Sequence, residues 1–248
     1  MTLQMIRAEL VKIGGRRGTF GSGAALPLLA AIAVLVVLVV LRSTGHEGYE
    51  SGEEALDTFE LIGFFAVIGI SLIGAQEGAY DVQAGTFRYL LISGKSALEL
   101  YLLRVVALLV TAAIVVVPPS ALAIIASYAL PDAPDHDPLE GSDVAVFAWA
   151  AFLVAVVYGL IAMSVGALLR SSGAGIAAAL VLNLGGLQLL LLVERLSEDL
   201  AQAMLPEAVA TLSGENAHDS LVLAAAAVAA WLLAFLALGA WRTRRAEY

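Results

Sequence analysis

Six long apolar runs punctuate the chain, at about 25–41, 59–76, 102–128, 145–169, 172–193 and 221–241, with polar residues gathered between them. A run of roughly 20 apolar residues crosses the hydrocarbon layer of a bilayer as a helix. The pattern therefore predicts an all-α, polytopic membrane protein with six spanning helices in one transmembrane domain, 1–248. Pro118-Pro119 falls within the third run and predicts a kink or break there, which a helical bundle tolerates. Ahead of the first run, Leu3, Ile6, Leu10 and Ile13 recur at helical spacing, with Arg7, Glu9 and Arg16 off that face. This predicts an amphipathic helix over 1–16 lying in the membrane interface. Gly14-Gly15 are expected to end it, and Gly21 and Gly23 to let the chain turn into the bilayer.

Composition agrees: 60% of residues are apolar and 14% charged, against about a quarter charged in soluble domains. With no cysteine, disulfides and thiolate metal sites are ruled out. The first run is too long for a signal-peptide core and ends at Arg42 without a small-residue cleavage pattern, so it reads as a permanent span. Lys and Arg set the orientation. With the N-terminus inside, Arg7, Lys12, Arg16, Arg17, Arg88, Lys95, Arg104, Arg170, Arg242, Arg244 and Arg245 are inner, and only Arg42 and Arg195 are outer. Both termini are expected in the cytoplasm and the protein in the plasma (inner) membrane. The net charge of −9 comes largely from acidic outer segments, including the 194–219 loop.

Candidate chemistry is sparse. Residues 93–96 read SGKS, but a phosphate-binding loop would need glycine where Tyr89 stands. His46, His136 and His218 lie in outer loops without a HExxH spacing. The EF-hand spacing puts Val146 where a bidentate glutamate belongs. No metal site is expected, and "DAPDHDPLEGSD" reads as a solvated acidic loop. The runs hold no histidine and no paired aspartates at depth, so a membrane hydrolase has no candidate dyad. Ionisable groups are scarce deep in the runs, which counts against an ion-coupled transporter and favours a hydrophobic or amphipathic substrate. Asn183 and Gln188, beside Gly185 and Gly186, predict close helix packing, with contact to a substrate path as the alternative. At the inner boundary, Glu77 can pair with Arg88 or Arg104, and Glu99 and Arg104 can snorkel.

The loop 77–97 carries Tyr80, Ala84, Phe87 and Leu91 at helical spacing, with Asp81 and Arg88 projecting elsewhere and Gly85 predicting a bend. Its pattern is Glu77, then Gly85-Thr86, Arg88, Leu90-Leu91, then Ser93-Gly94-Lys95-Ser96, then Arg104. This resembles permease subunits of ATP-binding-cassette transporters of the type-2 exporter class, in which the turn usually holds a proline where this chain has Gly94. The N-terminal basic helix, six spans and a Leu-Pro stretch between the last two are also similar. The resemblance implies that 77–97 is a cytoplasmic coupling loop docking on a separate ATPase through Glu77, Asp81, Gly85, Thr86, Phe87, Arg88 and Leu91. It further implies two ATPase copies per complex carrying ATP and magnesium, a second permease copy or relative, and a bilayer setting. No cofactor, catalytic residue or nucleic-acid partner is implied for this chain. The alternative is an ion-coupled secondary transporter, or another six-span protein with no ATPase partner.

Overall fold

The structure, a computed structural model, describes residues 3–44, 56–59, 61–85, 96–129, 140–186, 189, 201–214 and 220–245. Among these, every regular element is helical: α1 (Leu3–Gly15), α2 (Arg17–Ser43), α3 (Leu61–Gln83), α4 (Ala97–Ala129), α5 (Gly141–Leu169), α6 (Ser172–Leu180) with a π-helical continuation (Val181–Gly185), α7 (Leu205–Ser213) and α8 (Leu221–Arg244). Five helices, α2, α3, α4, α5 and α8, are long and apolar enough to cross a membrane. In the fifth predicted span the described residues hold a shorter apolar helix, Ser172–Gly185, and most of the run beyond Gly186 lies outside the described residues.

Local signals explain most ends. α3 continues past the predicted boundary at residue 76 and stops where Gly85 takes a left-handed φ of 70°, a conformation that glycine adopts without steric cost. α4 begins with a capping box: the Glu99 amide donates to Ser96 Oγ at 3.1 Å and the Ser96 amide donates to Glu99 Oε2 at 3.0 Å. The last serine of SGKS therefore starts a helix. Glu140 and Asp143 cap α5 in the same reciprocal way.

Two sequence expectations are corrected. α4 is one helix through Pro118-Pro119, so the chain does not break there, because in apolar surroundings the backbone has no better partners than its own helix. The turn from α1 into α2 falls at Arg16, not at Gly21 and Gly23, which lie inside α2. Gly23 is instead a contact point, since a Cβ there would strike the Gly69 carbonyl of α3.

α3 is the central helix, packing on α2, α4, α5 and α6. Its approach to α5 is closest at Gly78, where an added Cβ would overlap the Met163 carbonyl. Small residues let two backbones approach this way where no hydrophobic effect drives association. The core then fills with Ile70, Ile73, Tyr101, Leu108, Val115 and Met163. α2 and α8 keep long apolar faces outward, Val36, Val37, Val40, Leu233 and Leu238 among them.

The helices alternate in direction, so basic residues sort by end. α1, the end of α3, the start of α4 and the end of α8 meet: Ile6 packs by Leu100 and Leu103, and Gly239 lies on the Tyr101 hydroxyl. The α5–α6 turn joins them through Gln83 Nε2, which donates to the Arg170 carbonyl at 3.0 Å. Among the described residues this end collects Arg7, Lys12, Arg16, Arg17, Arg104, Arg170, Arg242, Arg244 and Arg245. The opposite end holds Arg42, whose Nη1 donates to the Ala129 carbonyl at 3.1 Å.

Within the predicted outer loop 194–219, α7 is packed into the bundle, with Leu205, Ala208 and Val209 buried against Val157, Tyr158 and Ile161. The Leu205-Pro206 pair opens this helix, proline tolerated in the first turn because the amide it lacks would be unpaired there.

Candidate functional site

Six ionisable side chains meet where α1, α3 and α4 converge. Glu77 and Asp81 are four residues apart on α3, so they share one helix face, and two like charges there would repel. Three cations answer them. Arg104 of α4, 1% exposed, places Nη2 2.5 Å from Asp81 Oδ2. Lys12 of α1 donates through Nζ to the same oxygen at 2.6 Å, to Glu9 Oε2 at 3.1 Å, and lies 3.9 Å from Glu77 Oε2. Arg16, between α1 and α2, donates through Nη1 to Glu77 Oε1, and its Nη2 lies 3.6 Å from Asp81 Oδ1.

With Glu9, Glu77 and Asp81 against Lys12, Arg16 and Arg104, the cluster is formally neutral. That balance is needed: Glu77 is 2% and Asp81 3% exposed, and stripping one buried partner from an ion pair typically costs about 3–5 kcal/mol. Peripheral contacts brace it. The Arg16 guanidinium lies 3.9 Å from the centre of the Tyr80 ring, within cation–π range, and Thr19 Oγ1 donates to Gln76 Oε1 at 2.6 Å. Deeper in, the hydroxyls of Tyr101 and Ser164 share a hydrogen bond of 3.0 Å between α4 and α5.

No metal-ligating set of His, Cys, Asp or Glu is found among the described residues. The arrangement ties helices together by charge. Asp81 and Arg104 sit on the two helices that flank the 84–96 connector, so their pair closes its base. Lys12 and Arg16 add α1 and the start of α2 to the same junction.

The candidates from sequence fall in several places. Glu77 and Asp81 are in the cluster, Glu77 paired with Arg16 and Asp81 with Arg104. Asp81, expected to project away from the bundle-packing face, is buried in the bundle, while Tyr80 is 43% exposed. Gly85 ends α3. Thr86, Phe87, Arg88 and Leu91 lie outside the described residues. On α1, Ile13 is buried and Ile6 and Leu10 half-buried against the bundle, whereas Leu3 is exposed. Asn183 sits in the π-helical turn and lines a small cavity together with Tyr158 of α5. Gly185 leaves room around it and Gly186 packs on Pro206, so close packing falls on Gly186 alone. Gln188 lies outside the described residues, as do His46, His136 and His218.

Sequence reasoning missed Glu9, Lys12 and Arg16 as inward-facing residues. Their i, i+3, i+7 spacing places them on one helix face, and Glu77 and Asp81 at i, i+4 offer the complementary one. No family model matches the chain, and no curated protein matches it.

Proposed function

We propose that the chain is the permease subunit of an ATP-binding-cassette exporter, forming a membrane pathway driven by a separately encoded ATPase. The observation that carries this reading is the Asp81–Arg104 pair at the base of the 84–96 connector. A partner that pushes on the connector moves α3 and α4 together, and through Lys12 and Arg16 it moves α1 and α2 as well. Packed elements held this way respond to a push as rigid bodies. The Gly85-Thr86-x-Arg88-x-Leu90-Leu91 pattern, resembling the coupling loop of such permeases, lies in that connector.

The end of the bundle rich in Lys and Arg is then cytoplasmic by the positive-inside rule, with both termini there and the protein in the plasma membrane. α1 lies at that interface, with Arg7 outward and exposed Leu3 and Val11 toward lipid. The fifth crossing is the run 172–193, which begins with α6. Two ATPase subunits bind MgATP, and this chain pairs with a second permease copy or a relative. Hydrolysis belongs to the partner, and the cargo is hydrophobic or amphipathic.

Replacing Gly85 and Arg88 together tests the assignment: ATPase association is lost while membrane insertion is intact, and retained association removes the coupling role.

One observation favours an ion-coupled secondary transporter as the second reading. Glu77 and Asp81 are buried carboxylates in a helix long enough to cross a membrane, where such groups often carry ions or protons. Under that reading, dissipating the membrane potential stops transport with ATP present.

A further inference from the structure

α6 and its π-helical continuation reach mid-bundle. Tyr158 on α5 and Asn183 above α6 each lie about eleven residues, roughly 16 Å of helix, from the α5–α6 turn. That is about half of a 30 Å hydrocarbon layer. At Gly186 the chain meets the ring of Pro206, so the start of α7 stands at the same depth. α7 then runs toward the end where α5 begins, since Trp149 Nε1 donates to the Leu212 carbonyl at 2.9 Å. Gly186 and the start of α7 thus meet in the middle of the bundle, beside a π-helical turn. Such turns recur at functional sites.

A cavity is present here. Its volume is about 140 Å³, and Val154, Tyr158, Asn183, Pro206, Val209 and Ser213 are among its lining residues. Three of these bring polar groups. Tyr158 and Asn183 line it with a hydroxyl and an amide. Ser213 is 2% exposed, and its Oγ has no hydrogen-bond partner among the described residues. Two residues earlier, Thr211 Oγ1 donates to the Glu207 carbonyl four residues back, the usual way for a hydroxyl on an apolar helix to be satisfied. Ser213 is not satisfied so, and a buried hydroxyl without a partner costs free energy unless a ligand supplies one.

We propose that this cavity binds an uncharged hydrogen-bonding group, a hydroxyl or an amide, carried on an apolar molecule. Among the described residues no Lys, Arg, Asp or Glu lines it, so an ion would lose its hydration there without a counter-charge from them. A hydroxyl or amide instead offers both a donor and an acceptor to Ser213, Asn183 and Tyr158. A cavity of about 150 Å³ admits a six-membered ring, so an aromatic or short aliphatic alcohol fits in size. The site lies apart from the ionic cluster and does not depend on how transport is powered.

The test uses the full chain in lipid nanodiscs and a pair of photoreactive probes, an aliphatic alcohol bearing a diazirine and the matching diazirine alkane without the hydroxyl. Labelled residues are mapped by mass spectrometry, with benzyl alcohol as competitor. The expected result is labelling by the alcohol, above that by the alkane, in the peptides holding Tyr158, Asn183 and 205–213, suppressed by benzyl alcohol. Tyr158→Phe and Ser213→Ala each remove one oxygen and should weaken that competition roughly two- to tenfold. Equal labelling by the two probes would overturn the proposal, a comparison that needs no variant to fold. Unchanged competition in a monodisperse Tyr158→Phe/Ser213→Ala double variant would overturn it too. Neither arm involves an ATPase, so the outcome is separate from the fate of the permease assignment.

Discussion

Asp81 of α3 and Arg104 of α4 meet at 2.5 Å across the two helices that flank the 84–96 connector, both almost wholly buried. Their pairing turns two helix ends into one mechanical unit. Each is also needed by the other's charge, because neither can reach bulk water.

Removing one member should therefore be worse than removing both. Arg104→Met alone leaves Asp81 with reduced compensation and should lower stability by about 3 kcal/mol. Asp81→Leu with Arg104→Met leaves two acids facing two bases and should recover much of that loss. Unfolding of the purified single and double variants, analysed as a double-mutant cycle, measures the coupling. Additive losses would mean the two side chains act independently.

Lys12 and Arg16 hold α1 to the bundle through charge as well as apolar contact. Because the chain has no cysteine, an engineered pair reports on docking without background. Ile6→Cys with Leu103→Cys should cross-link readily, since Ile6 packs against the small cluster that includes Leu103. Adding Lys12→Gln and Arg16→Gln should slow that cross-link severalfold. An unchanged rate would show that apolar packing alone docks α1.

Glycines along α3 should differ sharply in tolerance. A Cβ at Gly78 would overlap the Met163 backbone, which cannot yield as a flexible side chain would, so Gly78→Ala should destabilise by about 1–3 kcal/mol. Gly63 has open space around it, and Gly63→Ala should be neutral or stabilising by up to about 1 kcal/mol. Thermal unfolding of both variants checks the contrast.

Gly85 ends α3 at φ 70°. Gly85→Ala should cost about 1–2 kcal/mol, and Gly85→Asn less, because asparagine tolerates the left-handed region better. The same order of effect in ATPase association would tie the helix end to partner docking, whereas equal effects of the two substitutions would separate them.

Much of this architecture was legible in the spacing of apolar residues. The runs at 25–41, 102–128, 145–169 and 221–241 each fall inside one long helix, and the N-terminal periodicity became α1. Gly85, read as a bend, is where α3 stops. Ser96-x-x-Glu99 is a capping box in plain view within SGKS. The rest depends on which surfaces meet, and one chain of letters does not carry that. Residues 172–193 read as one uninterrupted α-helical run, yet the described part winds into a π-helical turn over Val181–Gly185, and Pro206, distant in sequence, packs against Gly186. Residues 194–219 read as an outer loop, while the apolar face of α7 within them went into the core. Periodicity put Glu77 with Asp81 and Lys12 with Arg16, but nothing in it says that these two faces touch.

The most direct test of the permease assignment is purification of the tagged chain from its native membrane in mild detergent, with mass spectrometry and an ATPase assay on the eluate. The account predicts a stoichiometric P-loop ATPase whose association is lost when Gly85 and Arg88 are replaced. A chain that purifies alone, with no nucleotide hydrolysis, would contradict it and leave Glu77 and Asp81 to be examined as ion-carrying groups.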